Sequence, residues 1–275
     1  MRPPRDTTLD RRDRFAAGAA GALLLAAAQF VVLTVVGMLV YAGGSTFDRD
    51  ADSYAFAHNF FSDLGMTETF DGVSNTTGMV LFAYALVCVG VALVAFGFAV
   101  RRLADATRGE GGGPARGAPA AAVVAAVAAT VSGISYVGIA CTPHDVAAAA
   151  HTQFVNAAFG FLLVFVLCLG YLEVRAGWPR RLVLANFVYA ALLAIYVYLL
   201  FWGPSTDDER GLVIQVVAQK VIVYGSILNL GWQALGFRRA LRSDASVGPG
   251  DEPATLPAVV CGTDPALANG VVTDD

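Results

Sequence analysis

The sequence predicts an all-α fold, a polytopic transmembrane bundle of six helices with the N- and C-termini cytoplasmic. Three observations carry that prediction: six long apolar runs, their lack of alternation, and a lopsided distribution of arginine. The 275-residue chain is 56% hydrophobic and 15% charged, where an ordinary soluble domain carries roughly 25% charged residues. A helix needs about 20 apolar residues to cross the hydrocarbon of a bilayer. Runs of that length cover residues 15–42, 76–100, 118–140, 146–172, 182–202 and 212–237. Inside lipid every backbone polar group must be bonded internally, so only helices or closed barrels span. Barrel strands alternate over about 10 residues. These runs are longer and do not alternate, so each is a helix.

The first run follows Arg11, Arg12 and Arg14, as a secretory signal would. A signal's apolar region is only about 7–15 residues long, so this run is expected to be a retained span. Orientation follows Lys and Arg in the connections. One set of flanks holds Arg2, Arg5, Arg11, Arg12 and Arg14, then Arg101, Arg102, Arg108 and Arg116, then Arg175, Arg180 and Arg181, then Arg238, Arg239 and Arg242. The opposite connections hold only Arg49 and Arg210, and Lys220 lies within the sixth run. The arginine-rich side is expected to be cytoplasmic, and the protein a multi-pass component of the cell membrane.

Three regions follow. Residues 1–14 are a basic cytoplasmic segment, residues 15–242 the six-helix membrane domain, and residues 243–275 an acidic tail without Lys or Arg, expected to be disordered. The Gly-rich stretch 109–117 reads as a flexible linker. Four cysteines give no disulfide framework and no C-x-x-C pair. No phosphate-binding, zinc-protease or nucleophile-elbow motif occurs. The basic residues are thin flanks that membrane orientation explains, so membrane lipids are the expected partners and nucleic acid is not.

The unusual residues gather on the predicted outer side. All three histidines lie there: His58 in the first loop, His144 and His151 at the start of the fourth span. In Cys141-Thr142-Pro143-His144-Asp145, Thr142 is expected to cap the helix, with Pro143 at its first position and Asp145 completing a capping box. His144 and His151 are seven apart, hence on one face, with His151 about 10 Å deeper. An ionisable side chain at that depth marks a candidate site. His58, Asp63, His144 and His151 form a candidate zinc set, and Asp63 with His151 a candidate catalytic pair. The last span carries Gln215, Gln219, Ser226, Asn229 and Gln233 within about 40° of one line, a stripe that must face protein or a polar cavity. Lys220 lies off that stripe and is expected either to reach outward or to pair with a carboxylate such as Asp63. The candidate pocket therefore comprises His58, Ser62, Asp63, His144, Asp145, His151, Gln215, Gln219 and Lys220.

The segments Phe61-Ser62-Asp63-Leu64-Gly65 and Thr142-Pro143-His144-Asp145, followed by His151, resemble the prokaryotic membrane proteins grouped as domain of unknown function 998, over roughly residues 15–240. The layout is distantly similar to autophagy-modulator and lipid-anchor-remodelling membrane proteins, which implies a lipid-related role. It is also similar in its Ser, Asp and His to ceramidase-like zinc hydrolases, although those have seven helices and an H-x-x-x-H pair that this chain lacks. Three readings stay open: an outer-facing pocket for a lipid or small solute, an outer-leaflet metal-dependent lipid hydrolase, and a small-solute or proton-coupled transporter.

Overall fold

The computed structural model describes residues 11–107 and 115–246, with side chains to residue 241. The tail from 247 onward and most of the linker lie outside the described residues, as do residues 1–10. Seven α-helices follow in order: α1 (Arg11–Val40), α2 (Thr76–Ala99), α3 (Arg101–Ala106), α4 (Ala118–Cys141), α5 (His144–Arg175), α6 (Arg180–Trp202) and α7 (Glu209–Ser246). A 3-10 turn, η1 (Phe61–Gly65), interrupts the first loop. Short α3 continues α2 beyond Val100, and among the described residues six helices are long and apolar enough to cross a membrane. Each predicted run is one of them.

Each span packs on its neighbour in sequence, and α7 returns to α1, closing a ring. Large apolar side chains such as Leu25, Leu39, Val91, Leu184 and Leu228 stand exposed around its outside. Helices that are apolar all round suit lipid. Inward faces follow helical spacing: in α1 they are Ala16, Ala20, Leu23, Phe30, Thr34 and Gly37. Small residues let backbones approach where α2 crosses α4. A Cβ on Gly90 would lie 2.4 Å from the Gly133 carbonyl oxygen, and one on Gly133 would lie 2.5 Å from that of Gly90. Only glycine fits such a crossing.

The first loop is ordered by its own polar residues. Gly44 holds φ +79, and a Cβ there would meet the Asp71 amide nitrogen at 2.7 Å. Asn75 Nδ2 donates to the carbonyls of Leu64 and Met66, both at 3.0 Å. Within η1, Leu64 is wholly buried with its methyls against Gly37 of α1, while Gly65 lets the Phe82 ring of α2 approach so that a Cβ would meet it at 2.6 Å. The loop thereby packs into one end of the ring, against α1, α2, α5 and α7.

The start of α5 differs from the expected capping box. Thr142 does not cap: its hydroxyl donates back to Gly138 O at 2.8 Å. Pro143 holds the cap position without a side-chain bond, and the Pro143 carbonyl accepts from Val146 and Ala147. With a cyclic residue at the cap, the Thr142 side chain belongs to the end of α4, and Asp145 is left to bind elsewhere. The chain also departs from helical geometry at Ala147 (φ −135, ψ 46).

Candidate functional site

Asp63 sits where the loop meets α7. Its Oδ2 accepts from Phe60 N at 2.9 Å and from Asn59 Nδ2 at 3.2 Å, which folds η1 around the carboxylate. Burial pushes its pKa up from 3.8 to about 7, against the opposing pull of Asn59, the Phe60 amide and the Lys220 charge. Lys220, for which the sequence left open reaching outward or pairing with a carboxylate such as Asp63, is 3% exposed. Its ammonium donates to the Asn59 carbonyl and lies 5.3, 5.0 and 5.3 Å from the ring centres of Tyr54, Phe56 and Phe61. The aromatic faces and the nearby carboxylate together compensate its desolvation. Tyr54 completes the knot by donating to the carbonyls of Asn59 and Phe60 at 3.0 and 2.9 Å.

Ser62, next in sequence, is buried and lines two spaces within the bundle. A cavity of about 80 Å³ lies in the bundle among Phe30, Phe82, Leu86, Ile139, Phe159 and Val223. A second space of about 390 Å³ opens between α5, α6 and the loop joining α6 to α7, among Asn156, Tyr196, Leu199 and Pro204. Ser62, His151, Val155 and Gln219 line both and form the boundary between them, here called the throat. Gln219 is fixed there because its Oε1 accepts from Phe61 N at 2.8 Å.

His151 is the throat's sharpest chemical feature. Its Nδ1 lies 2.7 Å from the Thr142 carbonyl oxygen, which only accepts, so Nδ1 is the donor. In the neutral ring Nε2 is then an acceptor. That nitrogen is buried and has no hydrogen-bond partner among the described residues. His144 stands edge-on to it, ring centres 5.5 Å apart, at the mouth of the outer space.

The predicted pocket is thus divided. Ser62, His144, His151, Gln215 and Gln219 line the same opening. Asp63 and Lys220 form the knot behind η1. His58 points to Glu209 at 3.1 Å across the loop rim. Asp145 accepts from Thr67 N at 2.9 Å and Glu68 N at 3.3 Å, and from the Thr67 hydroxyl, clasping the loop to α5. The candidate zinc set of His58, Asp63, His144 and His151 is therefore not assembled. Among the described residues no three His, Cys, Asp or Glu could hold one metal ion. Asp63 and His58 are turned to other partners, so Asp63 does not stand beside His151 in the throat as the catalytic pairing required. The polar stripe of the last span is spent largely on neighbours: Gln215 Nε2 donates to Leu199 O at 3.0 Å, Asn229 Nδ2 to Asn186 Oδ1 at 3.1 Å, and Gln233 Nε2 to Leu182 O at 3.0 Å.

Sequence reasoning did not assign Asn59, Tyr54 or Val155. Asn59 lies two residues before the quoted Phe61–Gly65 motif and four before Asp63, and that spacing was its only signal. Val155, an ordinary apolar residue in a span, carried none.

Fold and site define an integral membrane protein of six spans, with a loop-plugged opening at one end. The chain belongs to the DUF998 family, described as proteins of unknown function, whose model matches residues 24–232. No curated protein and no solved structure matches it.

Proposed function

We propose that this protein binds an amphiphile, a lipid or lipid-like molecule, from the outer leaflet. Its polar end would lie in the opening near His144 and Gln215, with a short apolar end of a few carbon atoms in the inner cavity of about 80 Å³. The observation that carries this reading is the throat, where an unpartnered His151 Nε2 stands between a polar opening and an apolar cavity. Buried acceptors without partners are costly, and a hydroxyl or amide of a ligand would satisfy this one. Apolar cavities of this kind stay dry and take apolar guests. The side opening between α5 and α6 faces the surface that lipid would occupy, so such a molecule need not enter from water. Zinc-dependent hydrolysis has no place in this reading, because the ligands it needs are apart. The hydrogen bonds of the α7 stripe favour packing over a transport pathway.

The test is lipid extraction and mass spectrometry of the purified full-length protein. Wild type should retain an amphiphile through detergent exchange. Val155→Phe, which blocks the throat, should lose it while keeping its melting temperature within a few degrees. Retention of the same molecule by both proteins would sink the proposal.

A further inference from the structure

We propose a second, separate lipid site at the opposite end of the bundle, selective for a phospholipid with an anionic headgroup. A crevice of about 790 Å³ runs between α1, α6 and α7 there. Its depth is apolar, with Leu24 and Ala28 on one wall and Trp232 on the other. Arg181 and Arg239 stand among its lining residues, which include no acidic side chain. No hydrogen bond or ion pair joins Arg181 to another described residue.

A second feature points the same way. Helix α6 begins at Arg180 behind Pro179, with no side chain capping its first turn. Pro179 lines the crevice together with Trp178. The leading N–H groups of a helix, carrying its positive dipole end, favour a phosphate. Guanidinium, helix end and tryptophan beside an apolar cleft match an anionic headgroup with its chains laid along the protein. Basic pockets between spans take such headgroups, and tryptophan settles at the headgroup level. A neutral lipid would leave the Arg181 charge unanswered, and a free anion would leave the apolar walls uncovered.

Native mass spectrometry of the full chain in detergent, titrated with phosphatidylglycerol and with phosphatidylcholine of matched chains, tests this. Phosphatidylglycerol should bind about fivefold more tightly, as the one unanswered arginine, Arg181, would give. Arg181→Gln should bring the two lipids close to parity, Arg181→Lys should keep most of the preference, and Arg180→Gln, outside the crevice, should change nothing. Ala28→Phe, which fills the cleft without altering charge, should weaken both lipids. Equal binding of the two lipids by wild type would overturn the proposal, as would a preference untouched by Arg181→Gln. So would full competition by inorganic phosphate. Binding that emerges only after removal of residues 247–275 would also overturn it, since the chain's own acidic end would then be the occupant. None of these readouts depends on Val155 or the throat, so this site and the outer one stand or fall separately.

Discussion

At the scale of single residues, the Asp63 knot makes a stability argument with a definite sign. Its carboxyl has a pKa of about 7 in the folded protein against an ordinary 3.8. Between those values the native state holds a proton that the unfolded chain has lost. Stability therefore falls as pH rises through that window. Melting followed in detergent should give a higher midpoint at pH 5 than at pH 7.5, and Asp63→Asn should flatten that slope. Asp63→Ala should cost about 1–2 kcal/mol at neutral pH, because the Phe60 amide and the Asn59 side chain then lose the acceptor they donate to. A different case is Glu173 of α5, fully buried with neither carboxylate oxygen meeting a hydrogen-bond partner among the described residues. Glu173→Met, similar in volume, should raise stability by roughly 1–3 kcal/mol, which chemical denaturation in micelles would measure. Of these two residues, Asp63 was visible in the sequence because it sits in a short polar motif between apolar neighbours. Glu173 was not, since it adjoins Arg175 and reads as a solvated helix end.

At the scale of elements, the helices themselves were legible because apolar length alone determines them. How they touch was legible only in part. The stripe on α7 announced a protein-facing side, and Asn229 does meet Asn186 of α6. Asn229→Leu should lower stability by about 1 kcal/mol, whereas Val217→Leu, on the 42% exposed lipid side, should be nearly silent. The α2–α4 crossing was hidden, since Gly90 and Gly133 are two among 29 glycines. Gly90→Val should cost more than any of the polar changes, about 3 kcal/mol through overpacking, or prevent folding, read as loss of the monodisperse peak on size exclusion. The capping box failed for a local reason. A threonine at the end of one helix and the start of the next can bond either way, and here it bonds to Gly138 behind it.

At the scale of the whole molecule, arginines mark one end of the ring and the plugged opening marks the other. The bias of arginine predicts that the opening faces outward. Cysteines engineered near Asp50 and Asp208 should react with an impermeant reagent in intact cells, and one at Gly112 should not. Labelling at Gly112 would reverse the orientation and move the proposed amphiphile to the inner leaflet. The candidate site was half legible at this scale. Long-range pairing put Ser62 with His151, and also separated Asp63 from the histidines. The three-dimensional choice between those partners depends on which way a five-residue turn faces, and composition does not encode that.

The clasp between Asp145 and the first loop has a kinetic consequence. Thr67, Glu68 and Asp145 are bonded at the exposed rim, and His58 reaches Glu209 on the other side. A loop fastened at two rims acts as a stopper on the water-facing end, and a molecule that exchanges by that end rather than through the α5–α6 side leaves no faster than the stopper lifts. Weakening a fastening that does not touch the guest shortens its dwell time and speeds its entry in equal proportion. Asp145→Asn should therefore accelerate both exchange rates by a similar factor, with occupancy at equilibrium nearly unchanged.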